Sequence, residues 1–304
     1  MRKFIIIFSL VTFSPNLSFG CLNGETKVLK NGFTVYEDYE GVIPNGHQFY
    51  IENFEKIIKE LDSLYLKTKD IAYLSDKGYV LVIQKKYDEA LKLYLDIEKI
   101  KPNRYSTASN IGTIYELIGN NLKAYQWIQK AIKINPKSHE SSEWLHLKIL
   151  EAKISGDLSK TSSLFLINTS FGNDQQPKTN LSKKQLETLE KSLYYQLNER
   201  ISFIKKEDSI ISILLFDLAN IQLLEKNFRD AGIIYIQSIE YGLNDELIRN
   251  RLRLTISESE TKLYKYIHNI NDLNQYHKIL FIVTLIISLM IISVLGFYIY
   301  KLKK

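Results

Sequence analysis

The sequence predicts an all-α chain: a stack of helical hairpins with a short N-terminal β-hairpin and a C-terminal transmembrane helix. Three observations carry this expectation. Small and turn-forming residues recur at an interval of 34 through the middle of the chain. Apolar residues around them follow helical spacing. A run of 22 uncharged residues, Ile279 to Tyr300, stands near the end of the sequence.

Composition bounds the function. The 304 residues are 45% hydrophobic and 24% charged, the make-up of a folded chain rather than a disordered one. One Cys excludes a disulfide framework and a Cys-rich zinc module. Five Pro and 13 Gly argue against an all-β fold full of tight turns. The net charge is +6, but Arg2, Lys3, Lys301, Lys303 and Lys304 supply most of it from the two ends. The body between is close to neutral, which gives no reason to expect a nucleic-acid partner.

Residues 1–20 read as a secretory signal. Met1-Arg2-Lys3 precedes the apolar stretch Phe4–Phe13, which is too short to span a bilayer. Small residues Ser18 and Gly20 suit cleavage before Cys21. Leu17–Cys21 resembles a bacterial lipoprotein signal, with Ser18 where an aliphatic residue is usual. Cys21 is then either an acylation site or a free thiol at the new N-terminus. In the segment 21–48, Asn31-Gly32 separates two β-prone runs, Lys27–Lys30 and Phe33–Tyr36, and predicts a hairpin. The acidic residues Glu37, Asp38 and Glu40 that follow are a solvated loop or a calcium loop. His47, after Pro44-Asn45-Gly46, reads as a turn residue.

Residues 49–154 hold the clear repeats. Phe49–Leu66 predicts an amphipathic helix with Phe54, Ile57, Ile58, Leu61 and Leu64 on one face. Gly78 and Gly112, Ala90 and Ala124, and Pro102 and Pro136 are each 34 apart. One unit runs 71–104, with Leu74, Leu81, Tyr87 and Tyr94 at matching places. The next runs 105–138, with Ala108, Tyr115, Ile128 and Ala131. On these residues the chain resembles the tetratricopeptide repeat (TPR) family, departing from its pattern at Asn121 and Ala108. The small residues let two helices approach closely, and Pro102 and Pro136 end the second helix of each pair. Helix A of the first unit is expected over Ile71–Gln84 and helix B over Tyr87–Ile100. Ser141–Ile154 adds a flanking helix.

Ser155–Thr179 has loop composition and no helical period. It reads as a connector within 155–181, with one short strand at Leu164–Ile167. The second block, 182–245, opens on the capping-box pattern Ser182-Lys183-Lys184-Gln185. Leu186, Leu189, Leu193, Leu197, Ile201 and Ile204 follow at helical spacing. A degenerate repeat over 212–245 places Leu215, Ala219, Phe228, Ala231 and Tyr235 in register, with Leu243 where Pro is expected. Residues 246–278 read as a long helical stalk, in which Ile256, Leu263, Ile270 and His277 are seven apart and suggest self-association. Residues 279–300 are long enough at about 1.5 Å per residue to cross a hydrocarbon core of roughly 30 Å. The basic tail 301–304 is placed in the cytoplasm by the positive-inside rule.

Catalytic signals are sparse. No phosphate-cradling Gly-rich loop, HExxH motif or nucleophile elbow is present, so the chain does not read as an enzyme and no cofactor is expected. His139, Glu143 and His146 are spaced four and three apart on one predicted helix. They are either a metal-binding face, which a metal-dependent enzyme would use, or a solvated helix face near the cap of the stack. The TPR resemblance implies a partner-binding groove on the inner faces of the A helices. Carried over by position, it comprises Ser75, Asp76, Tyr79, Ile83, Ser109, Asn110, Thr113 and Glu116. Asp76 and Glu116 disfavour an acidic ligand there. The reading is an exported, membrane-tethered TPR scaffold or adaptor for protein or peptide partners. It is expected at a bacterial inner membrane, single-pass, with its main domain in the periplasm. The alternative is the ectodomain component of a membrane signalling complex.

Overall fold

The structure, a computed structural model, describes residues 27–37, 41–50, 52–204, 207–261 and the single position 283. The signal 1–20, Cys21, Asp38, Glu40, the stalk beyond residue 261 and the span 279–300 apart from that one position lie outside the described residues. The chain is mostly helical, with one small antiparallel sheet. Among the described residues no helix is long and apolar enough to cross a membrane.

Helices follow from local signals and lie where they bury an apolar stripe. The first block comprises α1 (Phe54–Thr68), α2 (Ile71–Ile83), α3 (Tyr87–Ile100), α4 (Tyr105–Leu117) and α5 (Asn121–Ile134). Asn53, Asp70 and Asn120 cap α1, α2 and α5 by accepting from backbone amides in the first turn. Then come α6 (Glu143–Ser155) and the short α7 (Ser163–Ile167). The second block comprises α8 (Lys183–Phe203), α9 (Ser209–Leu224), α10 (Phe228–Glu240) and α11, residues 246–261. The capping box at Ser182 is formed, with Gln185 reaching back to the Ser182 amide at 2.9 Å.

Three local expectations are corrected. Leu164–Ile167 lies in the helix α7 rather than a strand, because Ser162 accepts from the Phe165 amide and starts a turn. The Asn31-Gly32 turn closes only an isolated bridge, Val28 to Thr34. The two-stranded sheet lies further on, pairing β1 (Tyr36–Glu37) with β2 (Gln48–Phe49). His139 is outside α6, in a separate 3-10 turn over His139–Ser141.

The repeat signature marks the tightest contacts. A Cβ built on Gly78 would stand 2.6 Å from the Tyr94 ring, and one built on Gly112 2.6 Å from Ile128. A side chain at either position requires its neighbour to shift, the hydrogen-bonded Tyr94 ring at Gly78 and the Ile128 side chain at Gly112, which favours Gly at both crossings. Tyr94 is locked there: its hydroxyl donates to the Ser75 carbonyl at 2.7 Å and accepts from Asn110 at 2.8 Å. Tyr235 occupies the matching place in the second block by register with Ala219, is fully buried, and donates its hydroxyl to Asn220 Oδ1 at 2.6 Å.

Two cores result. One gathers the N-terminal segment and α1–α5 around Leu61, Val80, Tyr94, Ile111 and Ile128. The other gathers α7–α11 around Leu193, Leu197, Leu214, Leu218 and Ile234. α6 serves both, with Leu150 in the first core and Leu145 and Ile149 in the second. A helix apolar on several sides is one buried between layers.

Gly78→Ala tests the close approach. Ala is the better helix former by about 1 kcal/mol, yet the fixed Tyr94 ring cannot give way. We expect a net loss of about 1–3 kcal/mol in urea unfolding; a more stable variant would show that the crossing has slack.

Candidate functional site

The sequence-selected residues converge, but on a buried junction rather than an open groove. Ser109 and Asn110 are fully or almost fully buried, as is Tyr79; Asp76, Ile83 and Thr113 are half-buried, and the side chain of Glu116 is only 7% exposed. The inner face of these helices is covered by the chain itself. Lys30, on the N-terminal segment, donates its amide to Asp76 at 2.6 Å and pairs its ammonium with Asp70. Across α4 lies α8, whose Gln196, Glu199, Arg200 and Phe203 face Thr113, Glu116 and Leu117 around a space of only about 30 Å3. That is the volume of about one water. The expectation of an accessible groove at these positions is therefore revised.

Glu116 is the centre of the junction. It accepts from His146 Nε2 at 2.7 Å, from Lys153 at 2.8 Å and from Arg200 at 3.3 Å. His146 turns its Nδ1 to Glu143 at 3.2 Å, and Glu143 meets His139 Nδ1 at 2.5 Å. Tyr105 donates its hydroxyl to Glu143 at 3.1 Å, and Tyr195 of α8 stacks on the His139 ring at 5.0 Å. Gln196 completes the contact, donating to Ser142 at 3.0 Å and accepting from Arg200 at 2.8 Å. The chain of charges thus ties α4, the turn before α6, α6 and α8 together.

His139, Glu143 and His146 are brought together, as their spacing suggested, but not on a solvated helix face. All three are within 3% of full burial. The backbone that delivers His139 is strained: His139, Glu140 and Ser141 have φ of 52°, 53° and 61° in succession. The left-handed conformation costs roughly 1–2 kcal/mol per residue, and it delivers the His139 ring against Tyr105 and Tyr195. The carboxylates and imidazoles are engaged with one another, and among the described residues no three His, Cys, Asp or Glu are arranged to hold an ion.

Electrostatics follow the packing. Burial pushes the Glu116 carboxyl up, but Arg200, Lys153 and His146 outweigh it and hold the group well below the usual range. Burial likewise opposes ionisation of Glu143, and the His139 and His146 partners reverse it, again lowering the pKa. Asp76 behaves oppositely: desolvation prevails over the Lys30 contacts and raises it to about 6.

A third histidine repeats the pattern. His47, expected as a turn residue, is buried, and its Nε2 meets Glu199 of α8 at 2.8 Å. Its amide donates to Ser202, and the Gly46 amide to Asn198, so the N-terminal segment is also fastened to α8.

Sequence reasoning passed over the cations. Arg200 lies on the buried face of α8, seven residues from Leu193 and three from Leu197. Arg251 lies between buried Ile248 and Thr255 on α11, and is itself fully buried. It donates to the carbonyls of Phe171, Gly172 and Asp174 and to Asn220 Oδ1, fastening the connector to the second block. A cation inside an apolar stripe was the available signal. Nearby, Asp217 accepts from Ser163 at 2.7 Å, while its other oxygen has no hydrogen-bond partner among the described residues. Desolvation raises its pKa to about 8.

No family model and no curated protein matches the chain.

Two outcomes are expected. Glu116→Gln leaves Arg200 and His146 buried without their counter-charge and should cost roughly 3–5 kcal/mol at neutral pH. Because the folded pKa values of Glu116 and Glu143 are depressed, their contribution is present above the unfolded carboxylate value near 4.5 and lost as pH falls. Melting curves from pH 7 to pH 3 should show a shallower acid-side decline in the variant. Asp217 has the opposite sign. Its raised folded pKa makes the wild type lose stability as pH rises from about 4 to about 8. Asp217→Asn should therefore gain on the order of 1–3 kcal/mol at pH 8 and little at pH 4, read by urea unfolding at both values.

Proposed function

We propose that the chain is a scaffold or adaptor of the TPR type, exported and held at a bacterial inner membrane by residues 279–300, which recruits partner proteins. One observation carries this reading: two consecutive helical hairpins cross at glycines 34 residues apart, with the same kind of close contact each time. A regular stack of hairpins is a means of displaying side chains in a fixed array, which suits recognition of protein surfaces. Exposed apolar residues at the edge of the stack, Ile118 and Leu122 at the turn between α4 and α5, are where such a partner has access without displacing α8. The buried inner face then serves to join the two blocks. Fold alone does not fix function, so the assignment rests on this surface argument and on the sequence signals at the two ends.

A second reading is a component of a membrane signalling complex. It is favoured by α11, which leads in sequence towards the uncharged run at 279–300 and so offers a route from the helical body to the membrane.

Photoreactive residues at Leu122 and Thr113 in living cells separate the possibilities. The scaffold reading expects a discrete protein adduct at Leu122 and none at Thr113, which α8 covers. Adducts at neither, in a chain that is abundant and folded, would sink it. The same cells test the topology: the mature chain should begin at Cys21 by mass spectrometry, and removal of 279–304 should release it from the membrane fraction.

A further inference from the structure

The outer side of the second hairpin is basic. From Leu117 to His139 the chain holds four lysines, Lys123, Lys130, Lys133 and Lys137, and no acidic residue. Lys123, Gln126, Lys130 and Lys133 are spaced three, four and three apart along one face of α5, and Lys137 follows just past its end. Lys123, Lys133 and Lys137 are exposed, as are Gln126 and Gln129 between them. Lys130 is drawn inward: it pairs with Glu98 of α3 at 2.5 Å and stands 4.8 Å from the centre of the Trp127 ring. No carboxylate among the described residues pairs with the other three.

The fold does not ask for this charge. At the positions 34 residues earlier, α3 carries Asp88, Glu89 and Asp96 where α5 carries Leu122, Lys123 and Lys130. Gly, Ala and Pro recur between the two units, so it is the outer face that has changed sign. At the start of α5 the change opposes the helix. The first turn of α3 holds Asp88 and Glu89, which complement the positive end of the helix dipole, whereas that of α5 holds Lys123 and no acid. Leu122 beside it is 60% exposed. Cations kept at a local cost around an exposed leucine have the make-up of a recognition surface, and their complement is negative charge. A lipid surface would need a row of apolar side chains to insert along the helix. Here Ile118 and Leu122 stand at one end, while Gln126 and Gln129 occupy the middle and offer hydrogen bonds suited to a polypeptide.

We propose that the partner docked at the α4–α5 edge is an acidic protein segment, whose carboxylates pair with Lys123, Lys133 and Lys137 and whose apolar side chain covers Leu122. This rests on the adaptor reading above and names the chemistry of its partner.

A photoreactive residue at Leu122 of the full chain in living cells tests it. The crosslinked stretch of the partner, read by mass spectrometry, should carry net negative charge. Adding Lys123→Glu/Lys133→Glu/Lys137→Glu should lower the adduct yield by about tenfold or more, while the three Arg replacements should keep it. The Glu variant should retain its helical circular dichroism and melting, since all three side chains are exposed and Lys123→Glu suits the start of α5. Lys123→Gln/Lys133→Gln/Lys137→Gln, which adds no like charge, should lower the yield by about threefold or more. A discrete protein adduct on a neutral or basic stretch, or one whose yield survives both the Glu and the Gln changes, would overturn the proposal and leave the adaptor reading standing. So would adducts to phospholipid alone. No adduct at Leu122 in an abundant, folded wild type would remove the adaptor reading and this proposal together.

Discussion

The burial of Glu116 is the constraint on which the arrangement of the two blocks depends. A carboxylate enclosed by α4, α6 and α8 is tolerable only if enough positive charge and enough donors reach it. Arg200, Lys153 and His146 supply them from two different helices. None of these groups can leave alone without stranding the others. The junction is therefore a strong determinant of where α8 sits, even if its net contribution to stability is modest once desolvation is counted. The imidazoles extend it: each of the three described histidines meets a buried glutamate, His47 joining the N-terminal segment to α8, His146 joining α6 to α4, and His139 meeting Glu143 four residues on.

Apolar packing does the complementary work. Within a block, close crossings at Gly78 and Gly112 allow the helices of a hairpin to exclude water along their length. Between blocks, α6 contributes a side to each core and so links the two. Polar groups specify the relative placement while apolar area supplies the driving force. Arg251 plays at the connector the part that Arg200 plays at the junction, with backbone carbonyls in place of carboxylates.

Much of this was legible in the residues. The helix over Tyr87–Ile100 has the bounds its sequence suggests, and the capping box at Ser182 starts α8 as expected. Gly78 and Gly112 marked the crossings because a side chain at either requires its neighbour to shift. The short segments were less legible. Leu164–Ile167 has strand-like residues, but a single serine cap and burial against the second core make it a turn of helix. The site was half legible. Spacing grouped His139, Glu143 and His146 correctly, yet their burial depends on Tyr195 and Gln196, more than 45 residues away in sequence. The inner-face residues were identified by register, and register says nothing about what lies over them.

The sequence by itself determined the helices, their pairing into hairpins and the small residues at their crossings, because these rest on periodicity and on contacts within about 34 residues. Only the tertiary structure decided that α8 covers the inner face and that the acidic and imidazole groups form one buried chain. Those outcomes depend on long-range complementarity of charge and shape between segments such as Glu116 and Arg200. No local pattern encodes which distant partner will meet a buried charge, only that one must.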